Sequence, residues 1–197
     1  MATRNMTAPA SPARTGVWIG IASSAMTFAA VTSALLVRQG AAPDWRHFAL
    51  PRILYVNTLL LLLSSGTIAV ARRRLQAGWA AADSRPGPAA TAWGMLWLYV
   101  TLGLGLLFVA GQLLAWRNLA AQGLFLATNP SSSFFYVFTA LHALHLLGGM
   151  IALAYVVGRV QSAGDDPPEQ ALSAATLYWH FMDVVWLYLL LVLILRL

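Results

Sequence analysis

The chain has 197 residues, of which 59% are hydrophobic and only 9% charged, with a mean hydropathy of +0.70. An ordinary soluble domain carries roughly 25% charged residues, so water is not the main solvent here; a membrane fold of this length has room for five or six spans of about 20 residues. The net charge of +6 rests on arginines scattered over loops and chain ends, with no basic face interleaved with aromatics, so no nucleic-acid partner is expected; the absence of cysteine removes disulfides, thioether-linked haem, iron–sulfur clusters and thiolate copper sites.

Met1 to Thr15 read as a polar amino-terminal tail carrying Arg4 and Arg14. Gly16 to Val37 are apolar and uncharged for longer than the core of a cleavable signal peptide, and predict a retained span. A loop with Arg38, Pro43, Asp44, Trp45 and Arg46 leads to Pro51, where a first helical turn tolerates proline. The second span is predicted over 53–71, stopping at Arg72, Arg73 and Arg74, and Gln76 to Pro88 read as the clearest linker. The third is predicted over 91–115. Asn129 and Ser131 to Ser133 are good helix caps ahead of a fourth span over 134–158, and an acidic loop, Asp165 to Glu169, precedes a fifth over 174–195. The expected fold is therefore all-α: a bundle of five transmembrane helices over residues 16–197, without the internal repeat of an inverted-repeat transporter.

Arginines set the orientation. Arg4, Arg14, Arg72, Arg73, Arg74, Arg85 and Arg159 fall on the amino-terminal side, against Arg38, Arg46, Arg52, Arg117 and Arg196 on the other. The triple arginine directly after the second span places the amino terminus in the cytoplasm and the carboxyl terminus outside.

An ionisable group in hydrocarbon is costly unless partnered, and four lie inside spans: His142, His145, His180 and Asp183. His142 and His145 share one face of the fourth helix, with Gly148 and Gly149 a turn further on, a pattern of close helix contact. His180 and Asp183 repeat the i, i+3 spacing, so that the carboxylate can accept a hydrogen bond from the imidazole. Three histidines also suit haem, copper or zinc, and a pair such as His142 and His180 could ligate haem across two helices. Interhelical packing is the preferred reading, because a haem–copper site needs more histidines. Asn57-Thr58, Ser64 to Thr67, Gly103 and Gly105 read as small and polar positions that let helices approach.

The fourth and fifth helices carry a resemblance. Thr139-Ala140-Leu141-His142-Ala143-Leu144-His145-Leu146-Leu147-Gly148-Gly149 resembles the Thr-Gly-x-His-x-x-His-Val-x-x-Gly pattern of subunit III of the haem-copper respiratory oxidases, with Ala140 for glycine. Tyr178-Trp179-His180-Phe181-Met182-Asp183-Val184-Val185-Trp186 resembles its Tyr-Trp-His-Phe-Val-Asp-x-Val-Trp signature, and Asn57-Thr58 with Leu62 to Gly66 resembles its Asn-Thr-x-Leu-Leu-x-Ser-Ser helix. The resemblance covers residues 16–195 and is to the five-helix bacterial form. It implies a bundle with a lipid-containing cleft, docked in a bacterial cytoplasmic membrane on oxidase subunit I, with subunit II a further partner. It also implies no haem or copper in this chain, those cofactors belonging to the partner subunits, and a role in sustaining proton uptake and turnover of subunit I. Arg159, fourteen residues and about 21 Å beyond His145 at 1.5 Å per residue, matches a family arginine that contacts phospholipid. Two family carboxylates are replaced, by Ser24 after Ser23 and by Ala115 after Gln112, so no proton conduction by this chain is expected. Segments 1 and 2, rich in small residues, are expected to supply much of the docking surface. The alternatives are an accessory subunit of a quinol oxidase or nitric oxide reductase, or an independent membrane haem b protein.

Overall fold

The computed structural model describes residues 12–41, 45, 47–81, 88–162 and 168–197. Residues 1–11 of the expected tail, and Pro43, Asp44, Arg46, Arg85, Asp165 and Asp166 of the expected loops, lie outside the described residues. Five helices follow one another: α1 (Pro12–Ala41), α2 (Ile53–Ala81), α3 (Pro88–Ala121), α4 (Pro130–Ser162) and α5 (Glu169–Arg196). All five are long and apolar enough to cross a membrane, and the chain is a multi-pass membrane protein.

Every helix is longer than its apolar stretch. At 28 to 34 residues they run about 42–51 Å, longer than a hydrocarbon core of about 30 Å. The largest departure from expectation is in α2, which passes through Arg72, Arg73 and Arg74 and takes in the first part of the expected linker before ending at Ala81. Arginine ends a hydrophobic run but is a good helix former. The buried stripe Ile68, Ala71, Leu75 and Trp79 continues at helical spacing through the charged turn. Gly94 on α3 gives Leu75 its room, since a Cβ there would meet the leucine side chain. Likewise α1 begins at Pro12 and takes in Arg14 and Thr15, which had been expected in the tail.

Prolines mark the starts. Pro12, Pro88 and Pro130 each open a helix, where the missing N–H costs nothing. Before α4, Asn129 Oδ1 accepts the Ser132 N–H at 2.8 Å and caps the helix.

Helices α2, α3, α4 and α5 close a ring in that order, with α2 and α3 in the most extended contact, and α1 packs on α5 and α4 from outside. Among the described residues α1 makes no backbone contact with α2 or α3. The α1–α2 connection folds over the end of α5. Trp45 Nε1 donates to Arg196 O at 3.2 Å, and the Phe48 N–H to Leu197 O at 3.0 Å, with His47 Nδ1 3.1 Å from that same oxygen. These bonds serve carbonyls that a helix end leaves without partners.

Candidate functional site

Of the residues singled out by the sequence, Asn57, Ser64, His142 and Asp183 are buried inside the ring, His145 is half-buried, and the His180 side chain is 40% exposed. Trp179 stands at the centre of the ring. Its indole Nε1 donates to Ser64 Oγ on α2 at 3.0 Å, while its ring packs tightly on Gly105 of α3 and in van der Waals contact with Gly149 of α4: added Cβ atoms would lie 3.1 Å and 3.7 Å from it, and at Gly149 Tyr178 is the tighter neighbour at 3.2 Å. One side chain of α5 thus touches each of the other three ring helices. Two further bonds join α5 to α2 in the same antiparallel register: Trp186 Nε1 to Thr58 Oγ1 at 2.9 Å, and His180 Nδ1 with Ser65 Oγ at 2.6 Å. Small hydroxyl residues on α2 are therefore the counterparts of bulky N–H donors on α5, which is how polar side chains join helices in lipid.

The partner of His180 differs from the sequence expectation. Its Nδ1 is 3.9 Å from Asp183 Oδ2, ion-pair distance for a charged imidazole but too long for a hydrogen bond. The ring turns instead toward Ser65 on the neighbouring helix, a cross-helix contact that spacing within α5 cannot reveal. Asp183 is 5% exposed, and neither carboxylate oxygen has a hydrogen-bond partner among the described residues.

His142 is fully buried and both ring nitrogens are without a partner among the described residues. It lies in an aromatic cage, 5.0 Å from the Trp186 ring centroid, 5.6 Å from Phe108 and 6.5 Å from Phe28. His145 is half-buried, with Nδ1 2.7 Å from Leu141 O of its own helix and its ring 5.3 Å from Phe28 on α1. Tyr178 OH donates to the His145 carbonyl at 3.3 Å. The three histidines therefore have different nearest partners: an aromatic cage for His142, a backbone oxygen for His145 and a serine for His180. Among the described residues no three of His, Asp and Glu come together in a metal-binding group.

Two α2–α3 contacts complete the polar interior. Asn57 Nδ2 faces Gln112 Oε1 at 3.5 Å, and Thr67 meets Thr101 hydroxyl to hydroxyl at 2.8 Å. Gly111 is what admits Asn57, because a Cβ at that position would overlap its Oδ1.

A second feature lies toward the end of the bundle where α1 starts and α4 stops. A groove of about 480 Å³ between α1, α4 and α5 is walled by small residues, among them Gly16, Gly20, Gly148, Ala152 and Ala174, with Tyr155 and Tyr178. Gly148, Ala152, Tyr155 and Arg159 follow at i, i+4, i+7 and i+11, so the arginine heads the groove's own stripe. Arg159 is exposed, three residues before the end of α4, and has no hydrogen bond or ion pair among the described residues.

The family described as cytochrome c oxidase subunit III matches residues 14–195. The chain belongs to the cytochrome c oxidase subunit III family. A Synechocystis relative named cytochrome c oxidase subunit 3 is 29% identical over 180 residues, 88% of this chain and 71% of its own length. A Pseudomonas putida relative named cytochrome bo(3) ubiquinol oxidase subunit 3 is 28% identical over 177 residues, 87% of this chain and 80% of its own. A Mycobacterium tuberculosis relative named probable cytochrome c oxidase subunit 3 is 36% identical over 92 residues, 46% of this chain and 45% of its own. The match thus spans less than half the length of the mycobacterial relatives.

The three stretches that carry the resemblance to subunit III are one physical unit: the Asn57 to Gly66 helix and the Tyr178 to Trp186 helix are hydrogen-bonded to each other, and the His142 to Gly149 stretch packs on the second of them. The two positions where subunit III commonly carries carboxylates are also inside the bundle. Ser24 is buried and donates to Gly20 O at 2.8 Å, and Ala115 is fully buried. What the sequence did not reveal is the pairing itself: Ser64 with Trp179, Ser65 with His180, Thr58 with Trp186. The signal available was that hydroxyls on one span and N–H donors on another fall at matching intervals.

Proposed function

We propose that this chain is the non-catalytic subunit III of a haem-copper terminal oxidase, an assembly that reduces oxygen in aerobic electron transport and pumps protons, and that it supports the proton uptake and turnover lifetime of subunit I. The observation that carries the proposal is the subunit III match over residues 14–195, together with the use of the family's signature side chains as interior packing. On this reading His142, His145, His180 and Asp183 are structural, and the haems and copper belong to subunit I and subunit II. The protein sits in a bacterial cytoplasmic membrane with the amino terminus inside, and its membrane domain opens with α1.

Helices α1 and α2 are proposed to supply most of the surface that docks on subunit I. They are the least buried of the five, with 17% and 28% of their most apolar windows inside the fold against 33–39% for the others. The groove headed by Arg159 is proposed to take a phospholipid, its acyl chain against the small residues and its phosphate on the guanidinium.

The electron donor is proposed to be cytochrome c. A second reading, quinol, is favoured by the similarity to the bo(3) ubiquinol oxidase subunit, and a nitric oxide reductase assembly is the third. Tagging this chain, purifying it from its native membrane in mild detergent and identifying what accompanies it separates them. Subunits I and II with the optical spectrum of a haem-copper oxidase are expected; a preparation without subunit I contradicts the proposal. In the same preparation, Arg159→Ala is expected to lower retained phospholipid and shorten turnover lifetime. Unchanged values of both would leave Arg159 as a generic arginine at the end of a span.

A further inference from the structure

We propose that the α3–α4 connection, residues 122–129, lies in the membrane interface and, with Arg117, forms a binding site for an anionic phospholipid on the membrane face opposite to Arg159.

The first support is how the connection treats its own backbone. A loop in water can leave its carbonyls to solvent, whereas a non-helical segment in lipid must satisfy them internally. Here Tyr136 OH donates to Leu124 O at 2.9 Å, Ser132 Oγ to Phe125 O at 2.8 Å, and Ser133 Oγ to Leu126 O. Thr128 Oγ1 accepts the Phe125 N–H at 2.9 Å and donates to Gly123 O, while the N–H groups of Gln122, Gly123 and Leu124 return to carbonyls of the last turns of α3. Gly123, at φ +76°, makes the reversal that only glycine takes without strain. Four consecutive residues of this turn thus have their carbonyls served by side chains, three of which come from α4.

The second support is what the connection shows outward. Leu124, Phe125, Leu126 and Ala127 are consecutive apolar residues, and Phe125 and Leu126 are 57% and 55% exposed. Exposing two large apolar side chains on a turn is unfavourable in water and favourable against acyl chains.

The third is the groove beside it. An open groove of about 550 Å³ lies between Leu113, Trp116, Arg117 and Ala120 on one face of α3, the Phe125–Leu126 turn, and Tyr136. The hydroxyl of Tyr136 is already engaged, which leaves Arg117 as the charged group of the wall. Arg117 is exposed and has no hydrogen bond or ion pair among the described residues, and no acidic residue follows it in the sequence until Asp165. Its depth is right for a headgroup. Counted from exposed Trp93 near the other end of α3, Arg117 lies about 36 Å along the axis against a hydrocarbon core of about 30 Å. The turn folds back from Ala121 to the level of Leu113 and Arg117, so an acyl chain in the groove would place its phosphate on the guanidinium. The apolar wall selects a lipid over free phosphate, and the unneutralised arginine selects an anionic headgroup.

The test places a photoreactive amino acid at Leu126, and separately at Phe125, in the tagged full chain within its native complex and membrane, and identifies adducts by mass spectrometry. Phospholipid adducts are expected at both positions, enriched in phosphatidylglycerol or cardiolipin over their share of the membrane. Arg117→Gln should lower that enrichment about fivefold, the change expected for one basic residue at an anionic surface. Arg117→Lys should restore most of it, and Arg159→Gln should leave it unchanged. Adducts to another polypeptide would make this turn a protein interface and overturn the proposal, as would adducts to water alone. Lipid adducts whose headgroup distribution ignores Arg117→Gln would overturn the headgroup assignment.

Discussion

Removing the Trp179 side chain should open the ring of α2 to α5, because it reaches all three neighbouring ring helices, as Trp186 does one register further along α5. Lipid is as apolar as a leucine core, so the loss is one of packing and hydrogen bonding rather than transfer from water. Trp179→Ala vacates roughly 140 Å³, which at about 24 cal/mol per Å³ costs about 3 kcal/mol if the walls do not collapse. The lost bond to Ser64 adds about 0.6 kcal/mol, the average for such bonds in a membrane. Trp179→Phe keeps most of the volume and should cost about 1–2 kcal/mol. Ser64→Ala strands the indole N–H, so the double variant should cost less than the sum of the singles by about 0.6 kcal/mol and no more than about 1.7. The readout is the fraction of SDS at which the chain leaves the tagged complex, taken for all four members of the cycle on one preparation so that the docking contribution cancels. A Trp179→Ala cost under about 1 kcal/mol, well below the cavity estimate, would refute the central placement of Trp179, and strict additivity would refute the bond.

Gly111→Ala should destabilise the α2–α3 pair by about 1–3 kcal/mol, because the new methyl displaces Asn57 from Gln112; adding Asn57→Ala should recover most of that loss, and a double variant no better than the single would count against this geometry. His142→Phe should leave the SDS midpoint unchanged or raise it by up to about 1 kcal/mol, since a buried imidazole without hydrogen bonds gives way to a ring that suits its aromatic cage. A loss of haem or metal from the complex in that variant would mean that His142 is a ligand. Asp183→Asn should leave proton pumping per electron unchanged, because one buried carboxylate is not a proton path. Rapid carbodiimide labelling of Asp183, coupled to lost pumping, would show the opposite.

The five spans were legible because hydrocarbon imposes a length and an apolar composition that survive in one dimension. Their ends were less so. The triple arginine after the second span marks where the apolar run stops, while the helix goes on for seven more residues beyond Arg74 because Leu75 and Trp79 still have α3 to pack on. The interior was legible by residue type on α2, whose hydroxyls read as small polar helix contacts, and not by partner: which side chain of α5 meets which hydroxyl depends on the rotation of two helices about their axes. The same gap explains His180. Spacing within α5 offers Asp183 as its partner, and the neighbouring helix supplies Ser65. The α3–α4 connection showed only its caps in sequence. That its serines and threonine serve the carbonyls of an apolar turn is a property of the folded hairpin.

If this chain belongs to an oxidase without carrying its redox chemistry, stripping it from the purified complex and measuring haem and copper per subunit I before and after will show it. Unchanged haem and copper, an unchanged spectrum, and an initial turnover that now decays faster are expected. Loss of haem in proportion to the chain removed, or a Soret band that travels with the released chain, would contradict it.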